Sequence, residues 1–368
     1  MKCLTLLLML MCMSGLTQAE LSHRHYLLYD ADYFDEFYVK ANDEDALTDS
    51  SWHTELRAFK STLTWEEEQF KSKLQYKWQQ GSSEWGDAWL AWDRGDDQLT
   101  LGRAKVATSH EANMSYRHLA VIERSMVTKA FVADRSVGVF WQQKKNCDVC
   151  VSISAFELEG AGIEELSQGA APKALQFGMD YGFDHGAWGA SFEWRDLDQA
   201  LFQIKVSPSV HLGDKVIRSG RFYGDQQRIL QTQINRLNDW GWWSSELWVA
   251  QVEADEGDTY VYSGAYLQWV YNTHGAYQLK RQQVRVKRRY LAHSWDWILK
   301  ADFLSLEDHE TGARANTVLA GVNYHFSKGL SLMNNLMYSL AAGQLVSEAS
   351  KDAQADGLAI SARLRYQF

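Results

Sequence analysis

Lys71, Lys73 and Lys77 fall in a run whose intervening positions are Phe70, Ser72, Leu74, Tyr76 and Trp78. A period of two puts the cations on one face of an extended strand and the aromatic set on the other. The last twelve residues repeat the pattern. Leu358, Ile360, Ala362, Leu364, Tyr366 and Phe368 alternate with Gly357, Ala359, Ser361, Arg363, Arg365 and Gln367. Positive charge on the wet face of a strand attracts anions. Arginine grips a phosphate through two parallel hydrogen bonds, whereas lysine acts as a point charge. A ring of such groups replaces the hydration that an anion sheds in a narrow passage, provided binding stays weak enough for release. The same residues have a plainer use, because the polar face of any barrel carries arginines paired with carboxylates that stabilise the wall. Both readings stand on the sequence.

Other chemistry is poorly represented. Asp184-His185-Gly186 and Asp308-His309-Glu310 bring histidine beside carboxylates, but both read as turns, where such residues are common. There is no Gly-x-Ser-x-Gly elbow and no P-loop. The acidic opening (Asp30, Asp32, Asp35, Glu36, Asp43, Glu44, Asp45, Asp49) lacks the ligand spacing of a calcium loop, and no zinc spacing occurs. No catalytic residue, metal or cofactor is expected, so the chain reads as a non-enzyme. Cys147-Asp148-Val149-Cys150 has the spacing of a small-loop disulfide in an oxidising compartment. Free or metal-touching thiols and a redox pair are its alternatives. Lys280, Arg281, Arg285, Lys287, Arg288 and Arg289 put six cations in ten residues. They suit equally an electrostatic funnel for anions and a loop on the phosphates of lipopolysaccharide. A net charge of −10 argues against a nucleic-acid partner.

The elements that must position these residues are strands. Lys2, the apolar stretch 4–13 and Thr17-Gln18-Ala19 have the order of a cleaved secretory signal, so the mature chain is expected to begin near Glu20. After Ala19 no run of eighteen apolar residues exists, which leaves no helical span. Sixteen Trp and seventeen Tyr suit interfacial aromatic belts, and two Pro suit long uninterrupted ladders. Gln176 to Phe183 and Ala187 to Trp194 flank a tight turn, a strong hairpin signal. Further alternating runs cover 245–252, 260–271, 297–304, 318–326 and 330–338, and 225–231 and 347–356 read as long polar connections. The predicted fold is all-β, a transmembrane antiparallel β-barrel of about 16 strands at about 22 residues each. Residues 1–19 are the signal and 20–50 an acidic, solvated leader with one short strand. The barrel is placed at 51–368. A soluble periplasmic β-sandwich would leave the terminal aromatics unexplained.

Residues 88–141 resemble the phosphate- and polyphosphate-selective porins (the O/P porin family) of Gram-negative outer membranes. The resemblance is carried by Ala88-Trp89-Leu90-Ala91-Trp92, Leu101-Gly102-Arg103-Ala104-Lys105, Ile122-Glu123-Arg124-Ser125, Ala130-Phe131 and Asp134-Arg135-Ser136-Val137-Gly138-Val139, in the family's order. Gly264-Ala265-Tyr266-Leu267-Gln268, Trp295-Asp296-Trp297-Ile298-Leu299, Ala320-Gly321-Val322-Asn323-Tyr324 and the closing strand are similar to its C-terminal strands. The resemblance implies a trimeric sixteen-stranded porin of the outer membrane, with an inward-folded constriction loop and basic residues that bind phosphate or related anions. It adds Arg124 and Arg135 of the loop region, and Arg103 and Lys105 just before it, to the pore-lining candidates Lys71, Lys73, Lys77, Arg363 and Arg365. The expected partners are two further copies of the chain, outer-membrane lipid, lipopolysaccharide and small anions. The alternative is a general, cation-tolerant diffusion porin on the same scaffold.

Overall fold

The computed structural model describes residues 20–38, 52–133, 135–145, 147–159, 162–165, 171–255, 257–273, 277–280, 285–288, 292–307, 311–343 and 354–368. Sixteen strands form the wall: β1 Glu20–Phe34, β2 Trp52–Glu67, β3 Phe70–Gln79, β4 Ser82–Arg94, β5 Asp97–Lys105, β6 Arg135–Gln143, β7 Val149–Glu157 and β8 Lys173–Phe183, then β9 Gly186–Phe202, β10 Phe222–Asn238, β11 Gly241–Ala254, β12 Thr259–Asn272, β13 Ser294–Ser305, β14 Ala313–His325, β15 Leu330–Gly343 and β16 Gln354–Gln367. Each pairs antiparallel with the next. β16 pairs with β1 from Tyr26↔Gln367 to Phe34↔Ala359, so the sheet closes on itself and keeps no edge. The closed sixteen-strand barrel is the fold expected from the alternation.

Closure relies on the acidic opening. Expected as a solvated leader ahead of a barrel beginning at 51, residues 20–34 are instead a full wall strand bonded to both β2 and β16. The reason is parity. Asp30 and Asp32 share the inward face with Tyr26, Leu28 and Phe34, and all five are buried. A lumen-facing aspartate reads as solvent-facing when its partner lies at the far end of the chain. Residues 225–231, expected as a polar connection, lie inside β10, where Gln227, Gln231 and Gln233 point inward and Leu230 outward. The signal reading on 1–19, the carboxylate–histidine run 308–310 and most of the connection 347–356 lie outside the described residues.

The outer face is apolar, with Leu247, Leu267, Leu299, Val318, Leu336 and Ile360 all more than a third exposed. Exposed aromatics Phe70, Trp92, Trp240, Trp295, Phe326, Tyr366 and Phe368 ring one rim, and Trp52, Trp78, Trp85, Tyr223 and Tyr338 ring the other. These are the two interfacial belts of a membrane barrel around a hydrocarbon-facing band. The rim that carries Glu20 and Phe368 also carries the short turns 68–69, 95–96, 184–185 and 239–240. Short turns mark the periplasmic side. On this rim the turn between β6 and β7 holds the disulfide Cys147–Cys150, with Cα atoms 5.2 Å apart. The cationic stretch 280–289 also leaves from here, through the connection between β12 and β13. Of this stretch, Tyr277–Lys280 pairs with Arg285–Arg288, and Arg281 and Arg289 lie outside the described residues.

Candidate functional site

Two connections from the opposite rim are buried against the inward faces of the strands. The first, 106–133, joins β5 to β6 and contains two short helices, α1 His110–Asn113 and α2 Met126–Phe131. Serines cap both: the Ser109 and Ser125 hydroxyls accept from Ala112 N and Thr128 N. Carboxylates of the wall then satisfy the remaining amides. Glu246 on β11 accepts from Ser109 Oγ at 2.7 Å, Glu111 N at 2.9 Å, Tyr266 Oη at 3.0 Å and Trp248 Nε1 at 3.2 Å. Asp302 on β13 accepts from Met126 N at 2.5 Å. Both acids sit where helix N-termini present unpaired N–H groups. Lys300 pairs with Glu111 at 2.7 Å, and Asn323 donates to Ala120 O at 2.7 Å.

Two of the basic candidates belong to this fastening. Arg363 holds Asp30 through Nε at 2.6 Å and Nη2 at 2.5 Å, and donates its third nitrogen to Ile122 O at 2.6 Å. Arg365 donates to Ser331 Oγ at 2.9 Å and to Arg117 O at 2.7 Å. Both are buried, and both spend their donors on the wall and the inward segment. Arginine suits this task because its planar fork bridges a carboxylate and a carbonyl at once.

The second segment, 203–221, joins β9 to β10 and crosses to the opposite wall. Leu212 N donates to Asp32 Oδ2 on β1 at 3.0 Å, Asp214 N to Tyr38 O at 2.9 Å, and Ser209 Oγ to Asp302 Oδ2 at 3.4 Å. Its apolar side chains Val206, Val210, Val216 and Ile217 are buried. Nothing in the sequence marked this segment, which has neither a strand nor a helix period.

With both segments fastened, a cavity of about 540 Å³ remains against β1 to β6. Ten basic side chains line it: Arg57, Lys60, Lys73, Lys77, Lys105, Arg124, Lys129, Arg135, Lys205 and Lys215. Three acidic ones, Glu84, Asp87 and Glu123, face the same space, with Tyr26, Tyr116 and His211. Five of the nine candidates are therefore gathered here: Lys73, Lys77, Lys105, Arg124 and Arg135. The other four lie outside the cavity. Arg363 and Arg365 are spent on fastening, Lys71 pairs with Glu66 at 2.5 Å near the terminal rim, and Arg103 pairs with Glu159.

The cations divide by partner. Asp87 takes both Lys73 and Arg135, the latter at 2.6 Å, and Lys77 meets Glu84 at 2.9 Å. Glu123 takes Arg57 at 2.7 Å and Lys129 at 3.1 Å. Burial opposes the charge on Glu123, but Arg57, Lys129 and Arg363 outweigh it and hold the carboxyl at about 2. Lys60, Lys105 and Arg124 have no carboxylate within ion-pair distance among the described residues. Lys105 donates to Ala112 O at 2.6 Å and Met114 O at 3.1 Å. Arg124 shares the same two carbonyls at 3.2 and 2.9 Å, and lies 4.3 Å over the Tyr116 ring. Lys60 is 7% exposed, with the Tyr26 ring 5.8 Å from its ammonium. Backbone carbonyls contact Lys105 and Arg124, and ring faces lie against Arg124 and Lys60.

A closed aromatic-belted barrel whose remaining lumen is strongly basic defines an outer-membrane porin. The chain belongs to the family of phosphate-selective porins O and P, whose model matches residues 56–368. Its fold is similar to an anion-selective porin from Comamonas acidovorans (TM-score 0.63, 9% identity, 95% of this chain and 100% of that one). It is similar also to the outer membrane channel DcaP of Acinetobacter baumannii (TM-score 0.60, 11% identity, 96% and 99%) and to the trimer form of OmpT of Vibrio cholerae (TM-score 0.60, 9% identity, 96% and 100%). No curated protein matches the sequence.

Proposed function

We propose that this porin passes small anions by passive diffusion, with phosphate or a related oxyanion as the preferred solute. The observation that carries the reading is the cluster Lys60, Lys105 and Arg124, three basic side chains facing one cavity without a carboxylate of their own among the described residues. An oxyanion supplies what they lack, since arginine offers paired donors and the lysines offer point charge. The paired cations around them keep the anion from being held too tightly, because each carboxylate competes for the same donors. In this reading the segment 106–133 narrows the pore, with Lys73, Lys77 and Arg135 on the facing wall. The protein acts as a homotrimer, as one of its structural relatives is described, after cleavage of residues 1–19. Outer-membrane phospholipid surrounds the lower half of the apolar belt and lipopolysaccharide the upper half. Titrating phosphate against single-channel chloride current tests the proposal. Block at low phosphate concentration that is relieved by Lys60→Gln supports it. A current indifferent to phosphate would leave a general diffusion porin.

A further inference from the structure

We infer that His211 is a proton-controlled charge in the anion path, so that the porin's anion preference is set by pH. This rests on the reading of the cavity as an anion passage. His211 lies midway along the second inward segment and lines the cavity. Its two ring nitrogens face two carboxylates from two different elements. Nε2 contacts Glu55 on β2, and Nδ1 lies 3.8 Å from Glu123 of the first inward segment. Lys60, Lys105, Arg124 and Lys205 line the same cavity as His211, and further charges hold its two partners. Glu123 is also held by Arg57 of β2, Lys129 of its own segment and Arg363 of β16. Asp32 of β1 is occupied by the amide of Leu212, next in the chain, and Lys215 lines the same cavity four residues on.

Geometry gives the two protonation states different consequences. A protonated imidazole carries a positive charge between the two carboxylates and donates to Glu55, whereas a neutral one carries no charge. Proton loss therefore removes a positive charge from between the two carboxylates. The attraction for an incoming anion is weakened, because the two carboxylates are then less compensated. Histidine is the side chain whose ordinary titration falls in the physiological range, which is the range the test covers. Glu123, held at about 2, keeps its charge throughout that range.

The test is the reversal potential of the purified full-length porin in a planar bilayer under a KCl gradient, from pH 5.5 to 8.0. Wild type is compared with His211→Gln and His211→Lys, each checked for a folded barrel by heat-modifiable migration. One charge at this position in a water-filled lumen changes the chloride-to-potassium permeability ratio by about threefold. The expected result is a ratio that falls about threefold in wild type as pH rises. It should stay flat and low in His211→Gln, and flat and high in His211→Lys. An anion-selective wild type with no pH dependence, or a pH dependence that survives in His211→Gln, would overturn the role of His211 and leave the anion passage standing. Potassium preference at every pH would overturn both readings.

Discussion

A lumen arginine can serve the solute or the wall, and its partners decide which. Arg363 and Arg124 have the same charge, yet Arg363 grips Asp30 through two nitrogens of its fork, and among the described residues Arg124 meets carbonyls and a ring but no carboxylate. The consequences of substitution differ accordingly. Arg363→Met leaves buried Asp30 with Arg57 at 4.0 Å in place of a bidentate partner, and is expected to cost about 3–5 kcal/mol. The loss should appear as a lower unfolding midpoint in detergent, partly recovered when Asp30→Asn is added; an unchanged midpoint would contradict the assignment. Arg124→Gln and Lys105→Gln remove cations that lack a carboxylate. Each should weaken phosphate block about tenfold, the worth of one charge-assisted contact, with little change in stability. Lys71→Gln and Arg103→Gln, outside the cavity, should leave block within about twofold. Glu123 tests the fastening by pH. Its carboxyl is depressed, so its stabilisation is present at neutral pH and lost only as pH falls through about 2. Barrel unfolding followed from pH 8 to 5 should show no step from it, and a step abolished by Glu123→Gln would contradict the pairing. Much of this was legible as parity: alternation put Lys73, Lys77, Arg363 and Arg365 on the inner face. Lys60 was readable by the same rule, lying between outward Phe59 and Ser61. The partner of Arg363, 333 residues away, was not, because pairing across a closed sheet leaves no local mark.

At the scale of elements, a barrel strand declares itself through its lipid face, and an inward segment has no such face to declare. β16 shows its apolar set at Leu358, Ile360, Leu364 and Tyr366, all exposed, as the alternation predicts. β1 hid behind two aspartates that turn out to be lumen groups. The segment 203–221 has no period at all, and its anchoring to Asp32, Glu55 and Asp302 is visible only when the wall has closed. The first segment hangs on two carboxylates that take up amides at the starts of α1 and α2. Removing both, with Glu246→Ala and Asp302→Ala, leaves those buried donors unpaired at about 1–3 kcal/mol for each group. A released segment should raise single-channel conductance and make the open current noisier. An identical, quiet conductance would show that these contacts do not hold it.

For the whole molecule, the relevant charge is local. The chain carries −10 overall, while ten basic groups against three acidic ones face the cavity. Near a low-dielectric wall the nearby charges dominate what an ion in the lumen feels, because distant surface charges are screened within about 8–10 Å at physiological salt. Ion preference should therefore follow the cavity and not the net charge. The most direct measurement is the zero-current potential of the purified porin in a planar bilayer under a tenfold KCl gradient, with phosphate then added to one side. A potential whose sign marks chloride as the more permeant ion, with current falling as phosphate is added, is the predicted result. A potential favouring potassium, unchanged by phosphate, would contradict the assignment of Lys60, Lys105 and Arg124 as an anion site.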